Sequence, residues 1–213
     1  MARSRFENLE LTKQEAILAA AAEEFAERGY ESASLNRIID DAGISKGSLY
    51  YYFEDKEDLF ATTWRRAVER LLADAGPFEP EKLESDTYWD EFREWVRRSM
   101  EALHANEWYV KMGQAFARIR MDATASEALK DVVDWGRNLT RSILARGQAL
   151  GVVRTDLPLD LLVELLMAMD AAGDRWYMEH WGEYTREELN RLADAEMDMM
   201  RAMLDASREG WER

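Results

Sequence analysis

Cysteine is absent from all 213 residues, which excludes a disulfide framework and any thiolate metal site. Histidine is nearly as scarce: His104 and His180 are the only two, so nitrogen ligands for a metal are few. Three prolines, at positions 77, 80 and 158, leave long stretches without a helix breaker. Apolar runs are short compared with the ~20 residues of a membrane span; residues 157–173 come nearest and carry Asp160, Glu164 and Asp170. The opening stretch "MARSRFENLE" has no apolar segment of signal-peptide length, so a cytoplasmic protein without a membrane partner is expected. Positive charge is in deficit. The net charge of −15 argues against broad coating of nucleic acid, although a local surface can still bind DNA. Neither a Gly-rich phosphate loop nor a Ser/His/Asp set is found.

What is present is helical periodicity, and the expected fold class is all-α. Apolar residues recur at helical spacing over 12–28, 34–41, 45–53, 55–75, 86–104, 107–120, 124–150, 158–181 and 185–208. Start signals of the capping type fall at Thr12/Glu15, Asp55/Asp58, Thr124/Glu127 and Thr185/Glu188. Gly29, Gly43 and Gly151 suit helix ends. The stretch "AGPFEPEKLES" is the clearest loop.

The first three segments should pack together. Ile17, Ala21 and Phe25 form one stripe; Leu35, Ile38 and Ile39 form the apolar side of a short second helix. Ser34 is a plausible cap for that helix, Gly43 breaks it, Ile44 plugs the turn and Ser45 caps a third. This is the helix-turn-helix arrangement, over 34–53. In the third helix Leu49 and Phe53 stand at i and i+4 and define the buried face. With residues about 100° apart, Gly47, Ser48 and Tyr51 lie opposite, Lys46 and Tyr50 flank one edge, and Tyr52 flanks the other. A glycine and hydroxyls on an outward face let a backbone approach DNA closely and reach phosphates or thymine methyls.

The stretch "TKQEAILAAAAEEFAERGYESASLNRIIDDAGISKGSLYYYFEDKEDLF" (12–60) resembles the N-terminal DNA-binding domain of TetR-family transcriptional regulators. Phe25, Gly29–Tyr30, Ile38, Ala42–Gly43, Leu49–Tyr50, Phe53 and Lys56 carry the resemblance. It implies a DNA-binding domain over 10–70 and a C-terminal regulatory, ligand-binding and dimerisation domain over 76–213. It also implies that Lys46, Gly47 and Ser48 face base edges, and that Tyr50, Tyr51 and Tyr52 touch phosphates or thymine methyls. Ser34 and Arg37 would begin the supporting helix, and Lys56 would bind phosphate. One departure is charge: residues 1–57 hold seven Lys/Arg against twelve acids, so non-specific binding should be weak and salt-sensitive. Arg3 and Arg5 could form a flexible arm.

Beyond residue 76 the pattern carries less. The segment "PLDLLVELLMAMDAAGDRWYMEHW" is apolar on most of its circumference, as expected of a helix buried on both sides. Leu162, Leu166, Leu189, Leu192, Met200 and Met203 are therefore candidates for a dimer seam, which the resemblance extends to a four-helix bundle between two copies. Eight tryptophans and several methionines suit an adaptable apolar cavity. Trp64, Trp95, Met100, His104, Met112, Phe116, Trp135, Met169 and Trp176 are candidate lining residues for a hydrophobic or aromatic effector, and nearby acids leave an organic cation open.

Together these readings describe a homodimeric, ligand-responsive regulator, more a repressor than an activator and not an enzyme. It would bind palindromic operator DNA and need no cofactor. Two alternatives remain: a dimeric ligand-binding helical protein that has lost DNA binding, and a di-iron enzyme. For the latter, Glu101 to His104 supplies one Glu-x-x-His motif where a di-iron bundle needs two.

Overall fold

The computed structural model describes residues 4–119 and 130–206. Among these, ten α-helices account for nearly all regular structure: α1 (Ser4–Glu7), α2 (Leu11–Ser32), α3 (Leu35–Asp41), α4 (Lys46–Tyr52), α5 (Lys56–Ala75), α6 (Tyr88–Ala105), α7 (Glu107–Ile119), α8 (Lys130–Ala149), α9 (Leu159–Glu179) and α10 (Arg186–Leu204). None is long and apolar enough to cross a membrane. The all-α expectation is met. The start signal at Thr124/Glu127 lies outside the described residues, as does the end of the segment expected to reach residue 208.

Local chemistry explains most boundaries. Thr185 and Glu188 form a reciprocal capping box at the start of α10. At α5 the Asp58 N–H donates to Asp55 Oδ1 at 2.8 Å while Asp58 Oδ2 accepts from Glu54 N–H at 3.1 Å. Ser45 caps α4 by accepting from the Ser48 N–H. Thr12 does not cap: α2 begins at Leu11 behind Glu10, with no side-chain cap. The kink in α2 falls at Gly29, where φ is +72°, and the tight turn between α3 and α4 uses Gly43 at φ +64°. Both conformations are costly for any residue with a Cβ.

The chain divides into two compact units. One comprises residues 1–71 and 105–131, the other 72–104 and 132–213. The first break, after residue 71, falls within the interval 70–76 expected between the domains, and residues 105–131 join the first unit. Helix α7, assigned by position to the C-terminal part, packs against α2: Lys111 pairs with Glu23 at 2.6 Å, and Met112 and Ala115 are fully buried. In the first unit Ile17, Leu18, Ala21, Phe25, Ile38, Leu49, Phe53 and Phe60 form the core. In the second, Tyr88, Ile143, Leu144, Val153, Leu162, Val163 and Leu204 are buried together.

Candidate DNA-reading face and effector cavity

Helix α4 is anchored by Leu49 and Phe53, each 1% exposed. Tyr50 and Tyr51 stand outward at 43% and 48% exposure, Lys46 and Gly47 are exposed, and Ser48 and Tyr52 are half-buried. The helical phase expected from the sequence is the one observed. A Cβ added at Gly47 would meet only Ser45 Oγ, at 3.8 Å. Nothing within the fold therefore requires a glycine there, although glycine costs up to about 1 kcal/mol in a helix interior. The Ser48 hydroxyl sits 2.8 Å from that of Ser45.

Two groups near this face were not singled out by the sequence reading as parts of it. Phe6 is fully buried, 4.8 Å from the Phe53 ring, and so docks α1 beside α4. That places the Arg5 guanidinium 4.3 Å from the centroid of the Tyr51 ring. Arg5 is thus held on the outward face instead of ending a flexible arm; Arg3 lies outside the described residues. The other group is Glu24, 4% exposed. Its Oε1 accepts from Ser34 N–H at 2.7 Å, and its two oxygens accept from Arg37 at 2.5–2.9 Å. The hydrogen bonds from Arg37 hold the Glu24 carboxyl below the usual glutamate range against the opposing effect of burial. Glu24 lies seven residues after Ile17 and three after Ala21, on the apolar stripe of α2; a carboxylate on such a stripe was the available signal.

These contacts change the reading of three expected DNA contacts. The Arg37 guanidinium and the Ser34 N–H are turned to Glu24, so they set the start of α3 instead of standing free for phosphate. Lys56 donates to the carbonyls of Tyr30 and Glu31 at 2.7 and 3.0 Å and lies 4.7 Å from the Tyr30 ring centroid. Its ammonium fastens the start of α5 to the end of α2, leaving one N–H for another partner.

The second unit contains a cavity of about 260 Å³ between α6, α8, α9 and α10. Of the nine expected lining residues it gathers Trp95, Met100 and Trp135. Trp64, Met112 and Phe116 belong to the other unit, where Trp64 stacks on Phe116 at 4.1 Å. His104 packs on Trp181, Trp176 on His180 and Tyr184, and Met169 against the core. Burial of His104 pushes its pKa below the usual imidazole value. The sequence reading missed Tyr177, Asp170, Asp174 and Glu196, which also line the cavity.

Most residues expected at the dimer seam are covered within their own unit. Leu162, Leu166, Leu189 and Met200 are at most 6% exposed and Met203 packs against the unit's own core. Leu192 does reach the surface, with Leu161, Leu165 and Met199. The exposed stripe is thus displaced from the expected one, because α9 is apolar around most of its circumference and its pattern did not fix the phase.

Residues 17–63 match the family described as bacterial regulatory proteins, tetR family. Over these residues the chain is similar to the tetR family. The HTH-type transcriptional repressor KstR2 of Mycolicibacterium smegmatis is 26% identical over 166 residues, spanning 78% of this chain and 80% of that one. The HTH-type transcriptional repressor AcnR of Corynebacterium diphtheriae is 29% identical over 163 residues, 73% of this chain and 76% of that one. The fold is shared with FadR of Bacillus subtilis, solved in complex with stearoyl-CoA, at a TM-score of 0.70 and 18% identity over 88% of this chain and 97% of that one. The stretch similar to the tetR family thus falls on the helix-turn-helix of the first unit, and the second unit is helical.

Proposed function

We propose that the chain is a homodimeric transcriptional repressor, released from a palindromic operator by a small effector bound in the cavity of the second unit. It acts by binding and catalyses no reaction. The observation that carries this reading is the outward face of α4. Two exposed tyrosines, an exposed lysine and a glycine without an internal steric role stand over a firmly buried Leu49/Phe53 anchor. Such a face suits the major groove, with Gly47 admitting close approach, Ser48 and Lys46 near base edges, and Tyr50 and Tyr51 at phosphates or thymine methyls. Arg5 over Tyr51 adds positive charge where the domain is otherwise acidic.

One short recognition helix contacts few bases, so specificity needs a second copy. Leu161, Leu165, Leu192 and Met199, all exposed, would form the self-complementary seam that a two-fold dimer requires. An effector shifts such a dimer away from DNA only by its differential affinity for the two states.

The test is selection of bound DNA from a random pool, followed by titration of the purified protein. A near-palindrome with half-sites about one helical turn apart, or a multiple of it, is expected. Recovery of no preferred sequence at low salt would overturn the repressor reading and leave a ligand-binding protein without DNA recognition.

A further inference from the structure

A single turn of helix is not stable by itself, so α1 exists because the first unit holds it. Three contacts do so. The fully buried Phe6 ring lies 4.8 Å from that of Phe53 and 6.1 Å from that of Tyr52. Gln14, 4% exposed, donates from Nε2 to the carbonyls of Glu7 and Leu9 at 3.2 and 2.8 Å, which satisfies carbonyls that a helix end leaves unpaired. The Glu7 carboxylate pairs with Arg66 of α5 at 3.0 Å.

With Phe6 turned into the core, its neighbour Arg5 is exposed and its guanidinium stands 4.3 Å from the centroid of the Tyr51 ring. Cation–π attraction at an exposed site is modest, yet the geometry has a consequence for the donors. A guanidinium stacked on a ring face uses none of its N–H groups there and keeps them as a planar fork. Such a fork matches two oxygens of a phosphate. Tyr51 itself is 48% exposed on the outward side of α4, so the fork is carried on the same surface. Positive charge is otherwise scarce there: Arg37 is bound to Glu24 and Lys56 to two backbone carbonyls, and residues 1–57 hold seven Lys/Arg against twelve acids.

We propose that Arg5 is a DNA contact outside the helix-turn-helix. Held by α1 beside Tyr51, it takes a backbone phosphate at the edge of the groove that α4 enters. The contact fixes the register of α4 on the duplex and reads no base. Because α1 is already docked, binding does not have to order a loose arm first. This inference rests on the reading of α4 as the DNA-reading helix.

The test is the salt dependence of binding by the full-length protein, followed by fluorescence anisotropy on the selected operator and on two single-base variants of it. Arg5→Ala should lower affinity for all three on the order of tenfold and leave their ranking unchanged. The slope of log affinity against log salt should lose about 0.9, at an unchanged melting temperature. Arg5→Lys should restore the slope and part of the affinity, since an ammonium keeps the charge and lacks the fork. Arg186→Ala, which removes an exposed positive charge from the second unit, should change neither. Phe6→Ala keeps Arg5 and removes its support: affinity should fall as far as in Arg5→Ala, and no further in the double variant. Gln14→Leu serves the same comparison if Phe6→Ala does not fold. An operator bound by Arg5→Ala with unchanged affinity and slope would overturn the contact and leave the α4 reading in place. Weaker binding with an unchanged slope would also overturn it, making Arg5 a support for Tyr51 and no phosphate ligand. A wild-type protein that selects no operator would overturn both readings.

Discussion

Helices α4 and α9 make opposite demands on a reader of the sequence. The seven residues of α4 and the Phe53 that follows them supply two buried anchors, Leu49 and Phe53, and everything else follows from their phase. The 21 residues of α9 are apolar in nearly every direction, so Leu161 and Leu162 look alike although one is 44% exposed and the other fully buried. A sparse pattern determines orientation and a rich one does not, because a hydrophobic face is defined only by contrast with a polar one.

The largest effect that could break this contrast concerns α9. Replacing Leu161, Leu165 and Met199 with Glu should give a folded monomer whose operator affinity falls on the order of 100-fold, since each half-site is then bound alone. Leu162→Ala, one position along, should instead cost about 2–5 kcal/mol of stability without separating subunits. Sedimentation and thermal melting check both. Monomers from Leu162→Ala, or dimers from the triple variant, would reverse the assigned phase.

Next comes α4. Gly47→Glu should abolish specific binding, because an anionic side chain would stand between helix and groove. Gly47→Ala is the sharper variant: its Cβ meets only Ser45 Oγ, in ordinary contact at 3.8 Å, so stability should rise by up to about 1 kcal/mol while DNA affinity falls. A stabilised variant with unchanged affinity would mean that no other surface approaches this position.

Smaller effects are expected around the supporting residues. Glu24 has its pKa lowered by Arg37, so its stabilising contribution is fully present above the ordinary glutamate pKa of ~4.3. It is lost as pH falls through the lower folded value. Melting temperature followed from pH 6 to pH 3 should fall more steeply for wild type than for Glu24→Gln, which should be less stable at pH 6. The least change is expected for Lys56→Ala in salt dependence. A lysine engaged by two backbone carbonyls releases few counterions, so the slope should change by well under the ~0.9 expected of a full phosphate contact, while stability drops.

The fold and the α4 face were legible because capping chemistry and i, i+4 apolar pairs act locally. Thr185/Glu188 and Asp55/Asp58 formed the expected caps, and Ser45 did likewise. What was not legible depends on partners distant in sequence. Arg37 reads as an exposed cation until Glu24, thirteen residues earlier, is placed beside it. Lys56 reads as a phosphate ligand until the carbonyls of Tyr30 and Glu31 are. The cavity failed for a related reason. Trp64 and Phe116 satisfy each other by stacking, and nothing in a tryptophan's identity tells packing from lining. Asp170, Asp174 and Glu196 were visible as charges on apolar stripes, but the phase of those stripes was the missing quantity.

The central claim is that the outward face of α4 reads DNA while its inward face holds the fold. Tyr51→Ala measures both at once. Fluorescence anisotropy on the selected operator, with thermal melting of the same sample, should show affinity reduced about tenfold, roughly 1.4 kcal/mol, at an unchanged melting temperature. A melting temperature lowered by many degrees with operator affinity of the folded protein intact would contradict the account and place Tyr51 in the core.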